Sequence, residues 1–458
     1  MALGGCGLSI VKHKTRIVRR CLRFSIENFG HLLGFPFFSF SFAVCMSKEK
    51  KKHGFWFYFG RVMAGIGIVL LLLVLFVYLS TPTYSFKEPR PFEGEYLYNP
   101  YQDMNPDQWK KYHFHCHSRR YFGLTNGRHS KELAIDSMYS ALGYDHYGIS
   151  DYMGINRHNA DKEDYIPAYE HGYGLFRKTH QLSIGAESVY RFDYPFMQNL
   201  SMKQHTINKL GEKGRFAVPV HASFTKGYKV GDMRFLSNYR LLEIVNPYGN
   251  ALEHWDMALS NGHRVYAIGD DDTHNCYDAH EVCRYFTMVN THDLKAESVY
   301  KALDKGLCYA VEFDNWYYYP LSFDYKVKDA HELPYLTRAQ LVGDTLFIQT
   351  SAETMREVQF IGQGGKVLKI EEGVPTTYYV IQPEDHYVRT RIDINGRNFF
   401  YLNPITRHPS PVVVDRRLDT INYAQTVLYW LVYVVAFVAF GWYLFKKSKE
   451  RKTSDHAD

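Results

Sequence analysis

The sequence predicts an α/β protein built on a small or distorted barrel, followed by a small all-β sandwich-like domain and flanked by two transmembrane helices. Three observations predict it. Short β-type runs alternate with helical runs between residues 106 and 315, the pattern of strands covered by helices. From about residue 321 to 404 the helical pattern gives way to short strands separated by Gly, Asp and Asn. Two uninterrupted apolar runs, each about long enough to cross a bilayer, stand one towards each end of the chain.

The elements follow in order. Residues 1–45 hold Arg16, Arg19, Arg20 and Arg23 ahead of a Phe-rich stretch, 30–45, that reads either as a third hydrophobic segment or as part of an upstream extension. The second reading is preferred because Met46 opens Met-Ser-Lys-Glu-Lys-Lys-Lys, an ordinary cytoplasmic start. Residues 46–61 form a basic segment, 62–80 a membrane helix without charge, and 81–105 a linker with Pro82, Pro89, Pro91 and Pro100. A second membrane helix is predicted at 424–445, followed by a basic tail at 446–458 with Lys446, Lys447, Lys449, Arg451 and Lys452. Basic flanks stay in the cytoplasm, so both termini are placed there and the intervening part outside. The alternative, two buried core helices, explains the adjacent charge clusters poorly. No small-residue cleavage site follows the first run, which reads as an uncleaved anchor.

The net charge of +6 is mild for 458 residues and gathers near the ends, so it indicates a membrane partner and no nucleic-acid groove. The seven cysteines form no CxxC pair, which argues against a zinc knuckle or a thioredoxin-like site. A disulfide among Cys116, Cys276, Cys283 and Cys308 is left open.

Within 106–315, β-type runs are predicted at 112–117, 147–151, 182–187, 216–221, 241–245, 265–269 and 285–289, and helices at 130–142, 166–179, 201–213, 251–260 and 294–305. Ser130 suits a helix N-cap and Gly143 a stop. The following domain, 316–418, is predicted to carry strands at 358–361, 366–370, 378–381, 387–394 and 399–402.

Candidate metal ligands fall at the ends of these runs, the face on which a β/α barrel builds its site. His115 and His117 end the first; two residues apart on a strand, their imidazoles point the same way. Asp151 ends the second run, Glu187 the third and His221 the fourth, and Asp272 and His274 follow the run at 265–269. Taken singly, each has an ordinary explanation: a chance His-x-His among 22 histidines, a packed His221, a loop Glu187, a capping Asp151, a solvated Asp270–Asp272 turn. Order and placement together favour a metal site. Mixed imidazole and carboxylate ligands suit Zn, Mn or Fe, and Glu187 or Asp272 would be able to bridge two ions. Such a site favours hydrolysis.

At these residues the sequence resembles the PHP (polymerase and histidinol phosphatase) family of metal-dependent phosphoesterases. The matching pieces are His-Cys-His-Ser at 115–118, Gly-Ile-Ser-Asp at 148–151, Gly-Ala-Glu at 185–187, Pro-Val-His at 219–221 and Asp-Asp-Thr-His at 271–274. Ala302-Leu303-Asp304-Lys305-Gly306 is similar to the family's closing helix, and Asn403-Pro404-Ile405 to a small domain appended in some members. The resemblance implies a distorted (β/α)7 barrel of TIM-like type. It implies that His115, His117, Glu187 and Asp272 hold one divalent ion and Glu187 and His221 a second, with His205 a weak further candidate. Asp151 and His274 are the residues it offers for catalytic roles. Tyr152 stands where the family's second motif has histidine, and Gly123 and Leu124 occupy the region of another missing histidine, so two ions are expected rather than three. His113 is expected behind His115, and Arg119, Arg120, Arg128 and Lys226 would either meet a phosphate or be ordinary solvent-exposed charge. The leading reading is an extracytoplasmic phosphoesterase acting on a small molecule or other phosphoester. A hydrolase of a non-phosphate ester, amide or carbamate, and a non-catalytic metal-stabilised binding module, remain the alternatives.

Overall fold

The computed structural model describes residues 54–313 and 322–454, with the backbone of two short strands, Leu22–Phe24 and Phe42–Val44. The expected extension at 1–45 otherwise lies outside the described residues. The chain divides into an amino-terminal unit, Met1–Leu71, and a large unit, Leu72–Asp458, which holds every contact discussed below.

Two helices, Phe55–Ser80 and Tyr423–Ser454, are long and apolar enough to cross a membrane. In the first, exposed Leu, Ile, Val and Phe run round all sides, as suits a lipid-facing helix rather than an amphipathic one packed on a core. Inside these ends the chain pairs with itself. Strand Tyr84–Phe86 lies antiparallel to Asp419–Ile421, so the segment leaving one helix is hydrogen-bonded to the segment entering the other. Asp419 fastens this ribbon to the body: its buried carboxylate accepts from Asn208, Ser237 and Asn238 at 2.8–2.9 Å.

The body is mixed α/β. A nine-stranded sheet runs in the order Val367–Val374, Met355–Ile361, Tyr387–Asp393, Phe399–His408, Cys308–Glu312, Tyr285–Asn290, Trp109–His113 and His146–Tyr147, with Tyr96–Tyr98 also paired to Phe399–His408. Smaller sheets join Leu241–Val245 to Tyr266–Gly269 in parallel, and Ala168–His171, Gln181–Ile184 and Phe216–Pro219 in antiparallel order. The expected closed (β/α)7 barrel is not formed among the described residues. The physical reason is visible between residues 166 and 184. A helix was predicted over 166–179, but the chain makes a β-hairpin, Ala168–His171 against Gln181–Ile184. A parallel crossover needs about a dozen residues or more, and this connection is shorter. Gly172 and Gly174 turn it with φ of +130° and +43°, values that side-chain-bearing residues rarely adopt. Single parallel bridges, Cys116 to Thr273 and Tyr152 to Glu170, tie the separate sheets together at one end.

The β-rich tail does form two facing sheets. Leu336–Val342, Thr345–Thr350 and Thr376–Val380 make the second, and Tyr379 stacks on Phe360 of the first with ring centroids 5.3 Å apart. One of the two is the nine-stranded sheet itself, which therefore runs through the boundary predicted at 315/316. A helix not foreseen in that region, Phe323–His331, packs beneath. The predicted helices at 130–142, 201–213, 251–260 and 294–305 are present as Glu132–Ala141, Leu200–Gly211, Leu252–Ser260 and Ala296–Lys305. Lys131 rather than Ser130 holds the N-cap position of the first. Asp256, on Leu252–Ser260, receives Arg389 through two bonds of 2.7 Å and Tyr387 Oη at 3.0 Å, clamping that helix to the nine-stranded sheet. Cys116, Cys276, Cys283 and Cys308 are buried free thiols.

Candidate metal centre

The strand Trp109–His113 delivers the chain in extended form to His115 and His117, whose rings reach one buried point. His117 Nε2 lies 3.1 Å from both Asp272 Oδ1 and Glu170 Oε2. His115 Nε2 lies 3.2 Å from Asp272 Oδ1 and 3.6 Å from Glu170 Oε2. Asp272 follows the strand Tyr266–Gly269 and sits at φ +47°, and His221 follows Phe216–Pro219 at φ +32°. His221 Nε2 is 3.1 Å and His180 Nδ1 is 2.5 Å from Glu170 Oε1.

These contacts form two donor groups that share one carboxylate. His115, His117, Glu170 and Asp272 make the first, and Glu170, His180 and His221 the second; within each, the ligand atoms all lie within 4.8 Å of one another. All six side chains are buried. The donors fit divalent cations on a further observation: His115 Nε2 and Glu170 Oε2 are fully enclosed and make no well-formed hydrogen bond, although facing ligand atoms lie 3.1–3.6 Å away. Buried polar atoms rarely stay unpaired unless something else occupies their lone pairs.

The electrostatics agree. Burial disfavours a charged His115, yet Asp272, Glu243 and Glu170 outweigh it and hold its pKa well above the usual imidazole value. Burial likewise opposes charge on His117, but its bonds to Asp272 and Glu170 raise it to about 9. Burial would raise Glu170 and Asp272, and the facing imidazoles instead depress both. His115 and His117 thus favour the protonated form beside these carboxylates, whereas burial lowers the pKa of His180. Cations bound there would displace those protons.

An outer layer fixes the ligands. His115 donates its Nδ1–H to Glu243 Oε1 at 2.9 Å, while Glu243 Oε2 accepts from the His221 backbone N–H at 2.6 Å and from Asn246 at 2.9 Å. One buried carboxylate, on strand Leu241–Val245, thereby orients residues of both groups, as second-layer carboxylates commonly do. Two rings lie against His117: Tyr152 at 4.2 Å and His274 at 4.5 Å between centroids.

Of the residues picked out from the sequence, His115, His117, His221 and Asp272 are brought together. Glu187 is not: it is exposed, and its backbone N–H donates to Lys213 O. Glu170 takes the shared position instead. Asp151 is also outside both groups. Its carboxylate accepts from the Ser118 N–H at 2.8 Å, the Ser118 hydroxyl at 2.9 Å and Asn156 at 2.8 Å, so it braces the turn after His117. His274 stands at the rim, where Tyr152 Oη and Tyr248 Oη each lie 3.1 Å from one of its ring nitrogens. Burial lowers its pKa to about 4, which keeps the ring neutral. His205 is remote, bonded to Tyr84 Oη at 3.1 Å. His113 lies behind His115 and accepts the Asp271 N–H at 2.8 Å. Arg120 leans on Asp151 at 3.4 Å, Arg128 on His129 at 3.0 Å, and Lys226 is exposed.

Glu170, His180 and Glu243 were missed. Glu170 lies inside the predicted helix at 166–179 and His180 directly after it; the alternation Ala-Tyr-Glu-His ahead of Gly-Tyr-Gly was the available sign of a strand and turn. Glu243, in a strand otherwise apolar, was a buried-charge signal.

Fold and side chains define a candidate divalent-metal centre with two donor groups in a mixed α/β body. No protein-family model matches the chain, and no curated protein does. One solved structure, a two-domain protein containing a predicted PHP-like metal-dependent phosphoesterase from Bacteroides vulgatus ATCC 8482, aligns with 73% of this chain and 99% of its own, at 14% identity and a TM-score of 0.36. That likeness is too distant to carry an assignment, which rests on the side chains.

Proposed function

We propose that this chain is a membrane-anchored, metal-dependent phosphoesterase whose site stands outside the cytoplasm and holds two divalent ions, Zn, Mn or Fe. The observation that carries the reading is the sharing of Glu170 by two convergent donor groups. Divalent ions held there would polarise a phosphoryl oxygen and lower the pKa of water. The chain's own residues do the rest. His115, His117 and Asp272 hold one side, His180 and His221 the other, and Glu170 joins them. Glu243 keeps the ligand imidazoles in register. His274, neutral and set between two tyrosine hydroxyls, passes a proton between water and the leaving oxygen. Tyr152 closes the position of a third site with a phenol whose pKa burial pushes up, so it stays an un-ionised and poor ligand.

The test uses the full-length chain in detergent, stripped of metal and reloaded with Zn, Mn or Fe. Close to two equivalents and metal-dependent turnover of phosphate mono- or diesters support the reading. Full occupancy with hydrolysis only of acyl esters, or of nothing, overturns it. Topology is tested by protease added outside sealed cells: it should digest the body and spare a tag at Asp458.

A further inference from the structure

The hairpin that carries Glu170 and His180 continues into an apolar tip. Tyr173, Leu175 and Phe176 are exposed there, Leu175 at 64% and Phe176 at 72%. Isolated exposed apolar residues need no explanation, but these join others. Phe176 stacks on Phe196 with centroids 5.6 Å apart, and the Leu175 N–H donates to Pro195 O at 2.8 Å. Met197, beside Phe196, is 62% exposed.

The patch leads to the membrane helices. The Phe196 N–H donates to Tyr78 Oη at 3.0 Å, and Tyr78 packs edge-on against Tyr194 at 5.4 Å. Tyr78 lies in the last turn of the helix Phe55–Ser80, about 3 Å from its end at 1.5 Å per residue. It lines a cavity of about 240 Å³ together with Tyr429 and Trp430 from the start of the second membrane helix. Tyr and Trp at helix ends mark the headgroup layer of a bilayer. The patch at 173–176 and 196–197 is continuous with that layer.

The same tip also touches the metal centre. A Cβ at Gly174 would lie 2.5 Å from His180 Nε2, so the tip's backbone rests on a ligand imidazole. Arg177 and Lys178 follow the tip, and basic residues beside an apolar tip favour an anionic lipid surface.

We infer that the hairpin tip, with Phe196 and Met197, seats in the bilayer surface and presents the metal centre to the phosphate of a membrane lipid. The inference rests on the proposed phosphoesterase reading and names its substrate class. In the reaction the oxygen of water bonds to phosphorus, the P–O bond to the lipid alcohol breaks, and the proton lost by water ends on the departing oxygen.

The full chain is tested in phosphatidylcholine nanodiscs. An environment-sensitive fluorophore is attached at Leu175→Cys, with Cys6, Cys21 and Cys45 changed to Ser; the exposed position leaves folding intact. A blue-shifted emission quenched by spin-labelled lipid is expected, and an aqueous spectrum overturns the inference in favour of a protein partner on the patch. In parallel, phosphatidic acid and phosphatidylglycerol are compared with glycerol 3-phosphate and glycerophosphoglycerol. At least a tenfold preference for a lipid form is expected, and Phe176→Ser with Met197→Ser should reduce that ratio. Turnover of the soluble esters with no lipid preference overturns the substrate class while leaving the phosphoesterase standing. No turnover of any phosphoester sinks the phosphoesterase and the substrate class together, and the fluorophore alone then decides the surface.

Discussion

Two groups of buried charge in this molecule are built on opposite plans. Asp256 and Arg389 meet one to one. Both oxygens of Asp256 accept, the guanidinium lies over the Trp255 ring at 5.0 Å, and the charges cancel locally. At the metal centre, imidazoles and carboxylates crowd a single point with ligand atoms left unpaired. Burying charge costs several kcal/mol per ion, and a complete pair offsets it internally. The first group is a clamp. The second is a donor set compatible with divalent cations. What separates them is the kind of atom left over: a donor at the clamp, Arg389 Nη1, and ligand atoms at the centre, His115 Nε2 and Glu170 Oε2.

The largest expected effect breaks the second group at its shared member. Glu170→Gln should lower phosphoester turnover roughly a thousandfold or more, because outer partners alone typically cost about 10–100-fold. Elemental analysis should find no more than one equivalent of metal; two retained equivalents would remove Glu170 from the centre. Next in size is the clamp: Asp256→Ala strands a buried guanidinium and should cost about 3–5 kcal/mol in unfolding free energy. Metal per folded chain should not change, and its loss would show that the two groups are coupled. Chelation comes third. At free metal a hundredfold above Kd, bound ions stabilise by about 2.7 kcal/mol, so a chelator should lower Tm in wild type and in Asp256→Ala alike. A Tm indifferent to chelator in both would contradict a resident metal. Glu243→Gln keeps shape but loses the negative charge behind His115, and should reduce metal affinity by about 10–100-fold. Smallest of all, Glu187→Ala should change stability by less than about 0.5 kcal/mol, with metal content intact.

That last contrast shows how far the sequence could be read. His115, His117, His221 and Asp272 were legible because each ends or directly follows a β-type run, and all four fall in the two donor groups that share Glu170. Glu187 met the same criterion, but its peptide follows Gly185 at φ +68° and leaves the sheet for solvent. Glu170 was hidden by the helical reading of 166–179, which gave too little weight to Gly172 and Gly174, and His180 sat just past its end. The two long apolar helices needed only composition. The barrel failed because alternating runs do not distinguish a tight antiparallel hairpin from a parallel crossover. The tail strands were visible one by one, whereas their union with Cys308–Glu312 through Phe399–His408 depends on pairing between segments far apart in the chain.

The ribbon of Tyr84–Phe86 against Asp419–Ile421 has a consequence for how the body could be handled. Neighbouring strands lie about 4.8 Å apart, so the polypeptide between the two spans starts and finishes at nearly one spot. Topologically it is one large loop closed at its base by this ribbon. Its two ends could be joined by a two-residue Asn-Gly turn in place of the lipid-soluble segments, with fresh termini opened at an exposed tip such as Gly343. Such a permuted body would keep Asp419 and its three partners as the knot beside the new turn.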